Sequence, residues 1–368
     1  MVSAKKIKLQ NFPKPEFTGA EAGVLSFPSS KSRSYCYFTP KKLRSSVYED
    51  VTLDVQPDPK RHLTQGWVYG FADGPGGYPH DWTDVKSSDW HKFLDPNEEW
   101  EQTIYRDNGN TVRQISRTLE NAKAAGAYKQ WTPSWIKFVE HHVGAWMHAE
   151  HGLGMHVFLS EQRSAPTNMI NNAIAVNSLH KLRFAQDLAL FNLDLSESEI
   201  HFDGSVHRAT WQSAPEWQGV RENVERLTAI GDWAESLFAA NVVFEQLVGV
   251  LFRSHLVMQI SARNGDYLTP TMVGAGEHDY DRDRRYTKAL FTMLASDKTH
   301  AEANRSVMQA WLDAWVPVSV RAARELQPIW SQPHEKVVTF AESWDAAVDG
   351  FNTLVSDLHL SVPKGLAQ

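Results

Sequence analysis

A single cysteine, Cys36, serves all 368 residues, which excludes an internal disulfide or a thiolate metal cluster and suits a reducing cytoplasm. Positive charge is also scarce: 37 Lys and Arg face 44 Asp and Glu, a net of -7. That is the wrong sign for a chain living on phosphate backbones, so nucleic acid is not expected as a partner. Apolar residues never run together for about 18 positions, and Met1 to Gln10 holds Lys5, Lys6 and Lys8 with no apolar run behind them, so neither a membrane span nor a secretory signal is expected. Signatures of nucleophilic catalysis are missing too. There is no Gly-x-Ser-x-Gly elbow, and Cys36 has no histidine near it in sequence. The glycine-rich run Asp73 to Pro79 lacks a Gly-Lys-Ser/Thr ending, and its prolines remove amide donors that a phosphate would need. It reads as a rigid tight turn.

What is present is a heavy aromatic load, 14 Trp, 17 Phe and 10 Tyr, and such side chains dominate both cores and interfaces. No polar linker divides the chain, so one large helical domain with extended appendages is the economical organisation. Residues 1–94 mix Pro and Gly turns with isolated rings such as Phe12, Tyr37, Trp67 and Phe71 and hold no helical period; they read as an extended arm lying on the chain's own helices or on another subunit. Residues 95–358 read as a helical domain and 359–368 as a tail. Helix starts are expected at Asp95-Pro96, at Thr132-Pro133-Ser134, near Thr167, at Pro215-Glu216, after Asp232, at Thr269-Pro270 and after Asp297, with an interruption at Pro317 and a last helix over about 335–358. Trp135, Trp146, Trp217, Trp233, Trp311 and Trp315 lie on these helices and read first as core, second as subunit interface. The long pairs 134–193 and 232–296 are each joined by a Pro-marked turn, the pattern of an antiparallel four-helix bundle. The fold class is therefore all-α. His180-Lys181-Leu182-Arg183-Phe184 precedes Ala189-Leu190-Phe191 as Tyr280-Asp281-Arg282-Asp283-Arg284 precedes Ala289-Leu290-Phe291, which points to an internal duplication, or to chance likeness between helices rich in Ala and Leu.

A paired bundle raises the question of a di-metal carboxylate site, in which two helices each give a Glu and two give Glu-x-x-His. Here no Glu is followed three positions later by His. Asp297 with His300 is the nearest substitute, and Asp297 reads as a helix cap. Glu140-His141-His142, His148, Glu150, His151 and His156 form the best remaining metal candidate, with no matching pair elsewhere. Asp279, Asp281 and Asp283 among Arg282, Arg284 and Arg285 read as an ion-pair ladder on helix faces, as do Arg183 and Asp187, four apart.

Four segments carry a resemblance: Gly70-Phe71-Ala72-Asp73-Gly74-Pro75-Gly76-Gly77-Tyr78-Pro79, Asp95-Pro96-Asn97-Glu98-Glu99-Trp100-Glu101, His180 to Asp187, and Asn264-Gly265-Asp266-Tyr267-Leu268-Thr269-Pro270-Thr271. Through them nearly the whole chain resembles the small (beta) hydroxylase subunits of bacterial soluble, multicomponent di-iron monooxygenases, the propane 2-monooxygenase type in particular. The resemblance implies a ferritin-like bundle with extra helices and a long N-terminal arm. The large subunits of that family place Asp-Glu-x-Arg-His on two helices. The matching residues here put Lys181 and Phe184 at one pair of ligand positions, and Tyr280 with Asp283 or Asp281 with Arg284 at the other; Val250 falls where a large subunit presents a glutamate. The resemblance thus implies no catalytic, cofactor or metal residue in this chain. It implies a di-iron centre on a partner large (alpha) subunit, an assembly of two large and two small subunits, a coupling protein, and a reductase carrying FAD and a 2Fe-2S cluster that draws on NADH. The implied reaction inserts one atom of dioxygen into a small hydrocarbon, propane to 2-propanol, in the cytoplasm. The alternatives are the small subunit of a related phenol, toluene or alkene monooxygenase, an independent metalloenzyme built on His141 to His156, or a helical scaffold.

Overall fold

The computed structural model describes residues 46–52, 83–198, 200–363 and 366, with the backbone of a short antiparallel pair, β1 (Val24–Leu25) and β2 (Arg33–Ser34), in which Val24 faces Ser34. Most of the expected arm, including Cys36 and the Gly70 to Pro79 run, lies outside the described residues. Two described pieces of the arm, residues 46–52 and 83–94, lie on the chain's own helices. In α1 (Val47–Thr52), the Thr52 carbonyl accepts from Asn168 Nδ2 at 2.7 Å and buried Tyr48 meets the Met169 sulfur. Farther on, Lys86 N donates to Asn304 Oδ1 at 2.8 Å, and Trp90 sits edge-on to Trp233 with ring centroids 5.9 Å apart.

Helix α2 (Glu101–Ala124) begins later than Asp95-Pro96 led us to expect. Asp95 instead makes an Asx turn, its side chain accepting from Asn97 N at 2.9 Å, and Glu98 adopts φ +51°. Helical bonding starts only where Thr103 Oγ1 accepts from Trp100 N at 2.9 Å. The bundle proper follows as α3 (133–161), α4 (Asn168–Ser196), then α5 (Val206–Ser213), α6 (Pro215–Leu227), α7 (Trp233–Ile260) and α8 (Thr269–Ala295). Thr132 caps α3 with Pro133 in its first turn, Thr167 caps α4, and Asp232 caps α7 through Ala234 N at 2.8 Å. Gly265 follows α7 at φ +86°, a backbone state that favours glycine, and a Cβ there would sit 2.3 Å from the Gln130 carbonyl oxygen. Helix α5 carries no terminal signal that the sequence showed.

Two further helices, α9 (Ala301–Leu326) and α10 (Phe340–Asp357), lie against the bundle. α9 runs straight through Pro317, contrary to the expected interruption. Pro317 and Asp313, whose carbonyl loses its helical partner, are both exposed, so the break in the bonding falls on the solvent side of the helix. The Trp side chains singled out in the sequence are all core: Trp135, Trp146, Trp217 and Trp233 are fully buried, and Trp311 and Trp315 nearly so. α7 has a mean hydropathy of 1.4 over its most apolar window, enough in length and composition to cross a membrane, yet 89% of that window is buried inside this chain. Its apolarity is that of a core helix.

α3 and α7 share a feature that α4 and α8 lack. Each is widened by π turns, at Val139–Val143 and Leu153–Phe158 in α3, and at Ala239–Gly249 and Arg253–Val257 in α7. Such turns change which side chains face inward.

Candidate functional site

The bundle centre is charged. α3 delivers Glu150 and α7 delivers Glu245, both fully buried. A di-metal carboxylate bundle likewise takes one Glu from each of two helices. From α4 come Lys181 and Phe184, both buried; Phe184 fits because Gly276 opposite has no Cβ, which would lie 2.7 Å from the ring. From α8 come Tyr280 and Asp283, 3% and 1% exposed, whereas the Asp281 and Arg284 side chains are 41% and 43% exposed. The inward register is thus Tyr280 with Asp283. Val250 is partly exposed, and the buried carboxylate of α7 is Glu245, within the π-helical stretch that precedes it.

Two side-chain cations fill the space between these acids. Lys181 Nζ lies 2.6 Å from Glu245 Oε1 and 3.2 Å from Glu150 Oε2. Arg253 places Nη2 2.7 Å from Glu245 Oε2 and Nη1 3.0 Å from Glu150 Oε1, while its Nε pairs with Glu277. Trp146 Nε1 donates to Glu150 Oε1 at 2.7 Å, and the Tyr280 ring lies 5.5 Å from both Lys181 Nζ and the Arg253 guanidinium carbon. Burial opposes charge throughout. For Lys181 the carboxylates of Glu150 and Glu245 outweigh it and raise the ammonium's pKa; for Glu245 the flanking Arg253 and Lys181 outweigh it and hold the acid low. Glu150 goes the other way, its pKa raised first by burial and further by Glu245. Glu245 is the firmly ionised member and Glu150 the weaker acid.

One turn outward is a second buried network. Arg183 bonds both Asp279 and Asp187, and Arg282 Nη2 reaches Asp279 Oδ1 at 2.6 Å and lies 3.0 Å from His180 Nε2. His180 Nδ1 is 2.7 Å from Asp283 Oδ1, and Asn177 Nδ2 donates to Asp283 Oδ2 at 2.8 Å. Arg183 thus reaches Asp279 from α4 to α8, and Arg282 reaches His180 from α8 to α4. The ladder reading holds in two layers: Arg284 and Arg285 pair with Asp281 at 2.7 and 2.6 Å on the surface, while Arg183, Asp187, Asp279, Arg282 and Asp283 are paired inside.

Residues 67–298 match the family described as methane/phenol/alkene hydroxylase. The chain belongs to this family. Among similar hydroxylase-family proteins, the small subunit of the propane 2-monooxygenase hydroxylase component from Rhodococcus jostii is 62% identical over 368 residues, covering all of both chains, and the one from Mycolicibacterium goodii is 63% identical over 366 residues, again covering all of both. The beta chain of methane monooxygenase component A from Methylococcus capsulatus is 26% identical over 80% of this chain and 78% of its own. In fold, the hydroxylase chain resembles one in a phenol hydroxylase structure from Pseudomonas sp. OX1, at TM-score 0.72 and 15% identity over 86% of this chain and 91% of that one. A toluene 4-monooxygenase structure gives TM-score 0.69 and 20% identity over 82% and 99%.

The histidine stretch of this hydroxylase-family chain does not converge. Trp217 Nε1 donates to His142 Nδ1 at 2.9 Å, so Nε2 carries the proton it gives to Gln332 Oε1 at 2.7 Å. With both nitrogens engaged, burial holds His142 down at about 4. His141 bonds Thr210 Oγ1 at 2.8 Å, His148 bonds His207 at 3.0 Å, Glu140 accepts from Asp203 N, and Glu150 points away into the charged centre. Among the described residues no group of three or more His, Cys, Asp or Glu is arranged to hold a metal ion. Asp297 is a cap, as its sequence position suggests, accepting from Thr299 N and His300 N at 2.9 and 3.0 Å. Glu245, Arg253 and Glu277 were not signalled by the sequence, since none belongs to a motif; only a duplicated bundle with a glutamate sought on both single-Glu helices would have singled out Glu245.

Proposed function

We propose that this chain is the small, non-catalytic subunit of the hydroxylase component of an NADH-dependent propane monooxygenase, and that it acts in the cytoplasm. The observation that carries the reading is the end-to-end identity of 62–63% to relatives bearing that name. Support for the non-catalytic part comes from the bundle centre: the donor set does not fit a di-iron centre, because Lys181 and Arg253 already neutralise the carboxylates there and Phe184 and Tyr280 offer no matching His or Glu. On this reading the di-iron centre belongs to a large subunit, two large and two small subunits associate, and a reductase with FAD and 2Fe-2S and a coupling protein complete the system. The described chain contributes a rigid helical body, and an obligate interface of this kind buries about 2,000 Å² or more.

Co-expression with a large di-iron subunit tests it. The expected result is a stable complex that converts propane to 2-propanol with NADH, reductase and coupling protein, its iron assigned to the large subunit by metal analysis of the separated chains. A stoichiometric iron pair on this chain alone, or propane oxidation without a large subunit, sinks the reading.

A further inference from the structure

The acids at the bundle centre grip Lys181 and Arg253 as bridging carboxylates grip a pair of metal ions. Glu150 turns Oε2 to Lys181 at 3.2 Å and Oε1 to Arg253 at 3.0 Å; Glu245 turns Oε1 to Lys181 at 2.6 Å and Oε2 to Arg253 at 2.7 Å. Each carboxylate therefore spans the same two cations, one oxygen apiece, and Glu277 closes the far side of Arg253. Glu150 Oε2 is buried and makes no hydrogen bond; the ammonium at 3.2 Å is its counter-charge. We propose that these residues form a dinuclear metal shell in which an ammonium and a guanidinium stand for the two ions, and that the place of the Lys181 ammonium is a latent site for one hard divalent cation. The inference rests on the reading of this chain as the metal-free subunit.

The physical requirement is neutrality. A buried carboxylate stripped of its partner must take up a proton or another cation. Lys181 satisfies that need from within the chain, so the native centre has no electrostatic reason to recruit metal. Truncation to Ala removes the charge and also opens the volume of the four-carbon stem. That leaves Glu150 Oε2 and Glu245 Oε1 facing a space that a divalent ion with oxygen ligands and water can fill.

The test uses the full chain, Mn2+ as probe, metal analysis after desalting and the electron paramagnetic resonance signal of bound Mn2+. Wild type is expected to retain none. Lys181→Ala is expected to retain about one ion per chain, with a broadened, immobilised signal and a Tm that rises with added Mn2+. Lys181→Met, which fills the space without charge, is expected to retain none, and Glu245→Gln added to Lys181→Ala abolishes uptake. A folded Lys181→Ala that takes up no Mn2+, or binds it equally after Glu245→Gln, overturns the proposal. If Lys181→Ala is insoluble when made without metal, it is expected to fold when made with Mn2+, and Lys181→Ala/Glu245→Gln to fold without it; a single variant insoluble in both media overturns the proposal as well. Metal on the wild-type chain would instead sink the metal-free reading, so the two failures are distinguishable.

Discussion

The inner cluster of Glu150, Lys181, Glu245, Arg253 and Glu277 and the outer network of Glu99, His180, Arg183, Asp279, Arg282 and Asp283, in which Glu99 Oε1 lies 3.2 Å from Arg282 Nε, share α4 and α8, yet they behave differently toward protons. Inside, Lys181 and Arg253 are held more firmly charged than usual by the acids around them. Outside, burial pushes Glu99 up to about 7 and Asp95 and Asp187 up to about 6, and Asp283, Asp279 and Glu99 overcome burial to raise His180. The inner cluster is a fixed electrostatic strut. The outer network ties the turn before α2 to α8, through Glu99 with Arg282 and Asn97 with the Arg282 carbonyl, and it includes acids that burial pushes toward neutrality. Burial alone does not make a charge permanent, and one counter-charge does not always suffice: Asp187 is raised although Arg183 bonds it, whereas Glu245, hydrogen-bonded by both Lys181 and Arg253, is held low.

The largest effect is expected at Arg253. Arg253→Met removes one cation from three acids at once, and breaking a buried pair in this way costs about 3–5 kcal/mol, read as a lower midpoint in urea with the denaturant slope unchanged. A loss under about 1 kcal/mol, the value of a surface pair, would erase the distinction between strut and ordinary ion pair. Gly249→Ala probes the same strut sterically. A Cβ there would lie 2.3 Å from Glu245 Oε2 and 2.8 Å from Arg253 Nη1. Helix propensity alone predicts a gain of about 1 kcal/mol, whereas overpacking predicts a loss of about 1–3 kcal/mol. Because both neighbours are pinned by their ion pair, we expect the loss, and a stabilised variant would show the pair to be slack.

Glu99→Gln examines the outer network. With its pKa raised from 4.5 to about 7, native Glu99 keeps a proton that the unfolded chain releases earlier, so stability falls as pH rises through that interval. His180, also raised, works in the same direction, its contribution present below the unfolded value of about 6.5 and lost as pH rises through the folded one. The Gln variant does not lose the Glu99 share. Relative to wild type it is expected to gain roughly 1–3 kcal/mol between pH 5 and pH 8, measured by chemical denaturation at both values. Parallel pH curves for the two proteins would refute the assignment.

Local chemistry was legible in the sequence wherever it is self-sufficient. Thr132-Pro133, Thr167, Asp232 and Asp297 cap helices because a side-chain oxygen and its amide targets lie within three residues, with no help from the rest of the fold. Lys181 and Phe184 at the bundle centre followed from matching helix positions, and α4 is regular enough for that to work. On α7 helix periodicity is a poor guide, because its π turns shift the inward face away from that of a wheel of 3.6 residues per turn, and Glu245 lies in such a stretch. Arg253 and Glu277 could not be read locally at all, since what makes them central is the contact between α7 and α8. Pro96 and Pro317 misled for a related reason, one being absorbed by an Asx turn and the other facing water.

Asp297 gives the smallest effect and the opposite sign, which makes it the control for the pH argument. Its Oδ1 caps the turn that leads into α9 through Thr299 N and His300 N, while its Oδ2 accepts from Ser88 N at 2.7 Å and Ser88 Oγ at 2.9 Å, fastening the segment before α2 to that turn. Burial opposes ionisation, but these donors win and hold the carboxyl well below the usual range. The sign therefore reverses relative to Glu99: the contribution is present above the unfolded pKa near 4 and is lost as pH falls through the lower folded value. Asp297→Ala is expected to cost about 1 kcal/mol at pH 7, the usual worth of a helix cap, and the gap to wild type should narrow on acidification toward pH 3. A gap that instead widened in acid, or that tracked the Glu99→Gln curve, would mean that the titration at neutral pH is a property of the whole chain and not of the outer network.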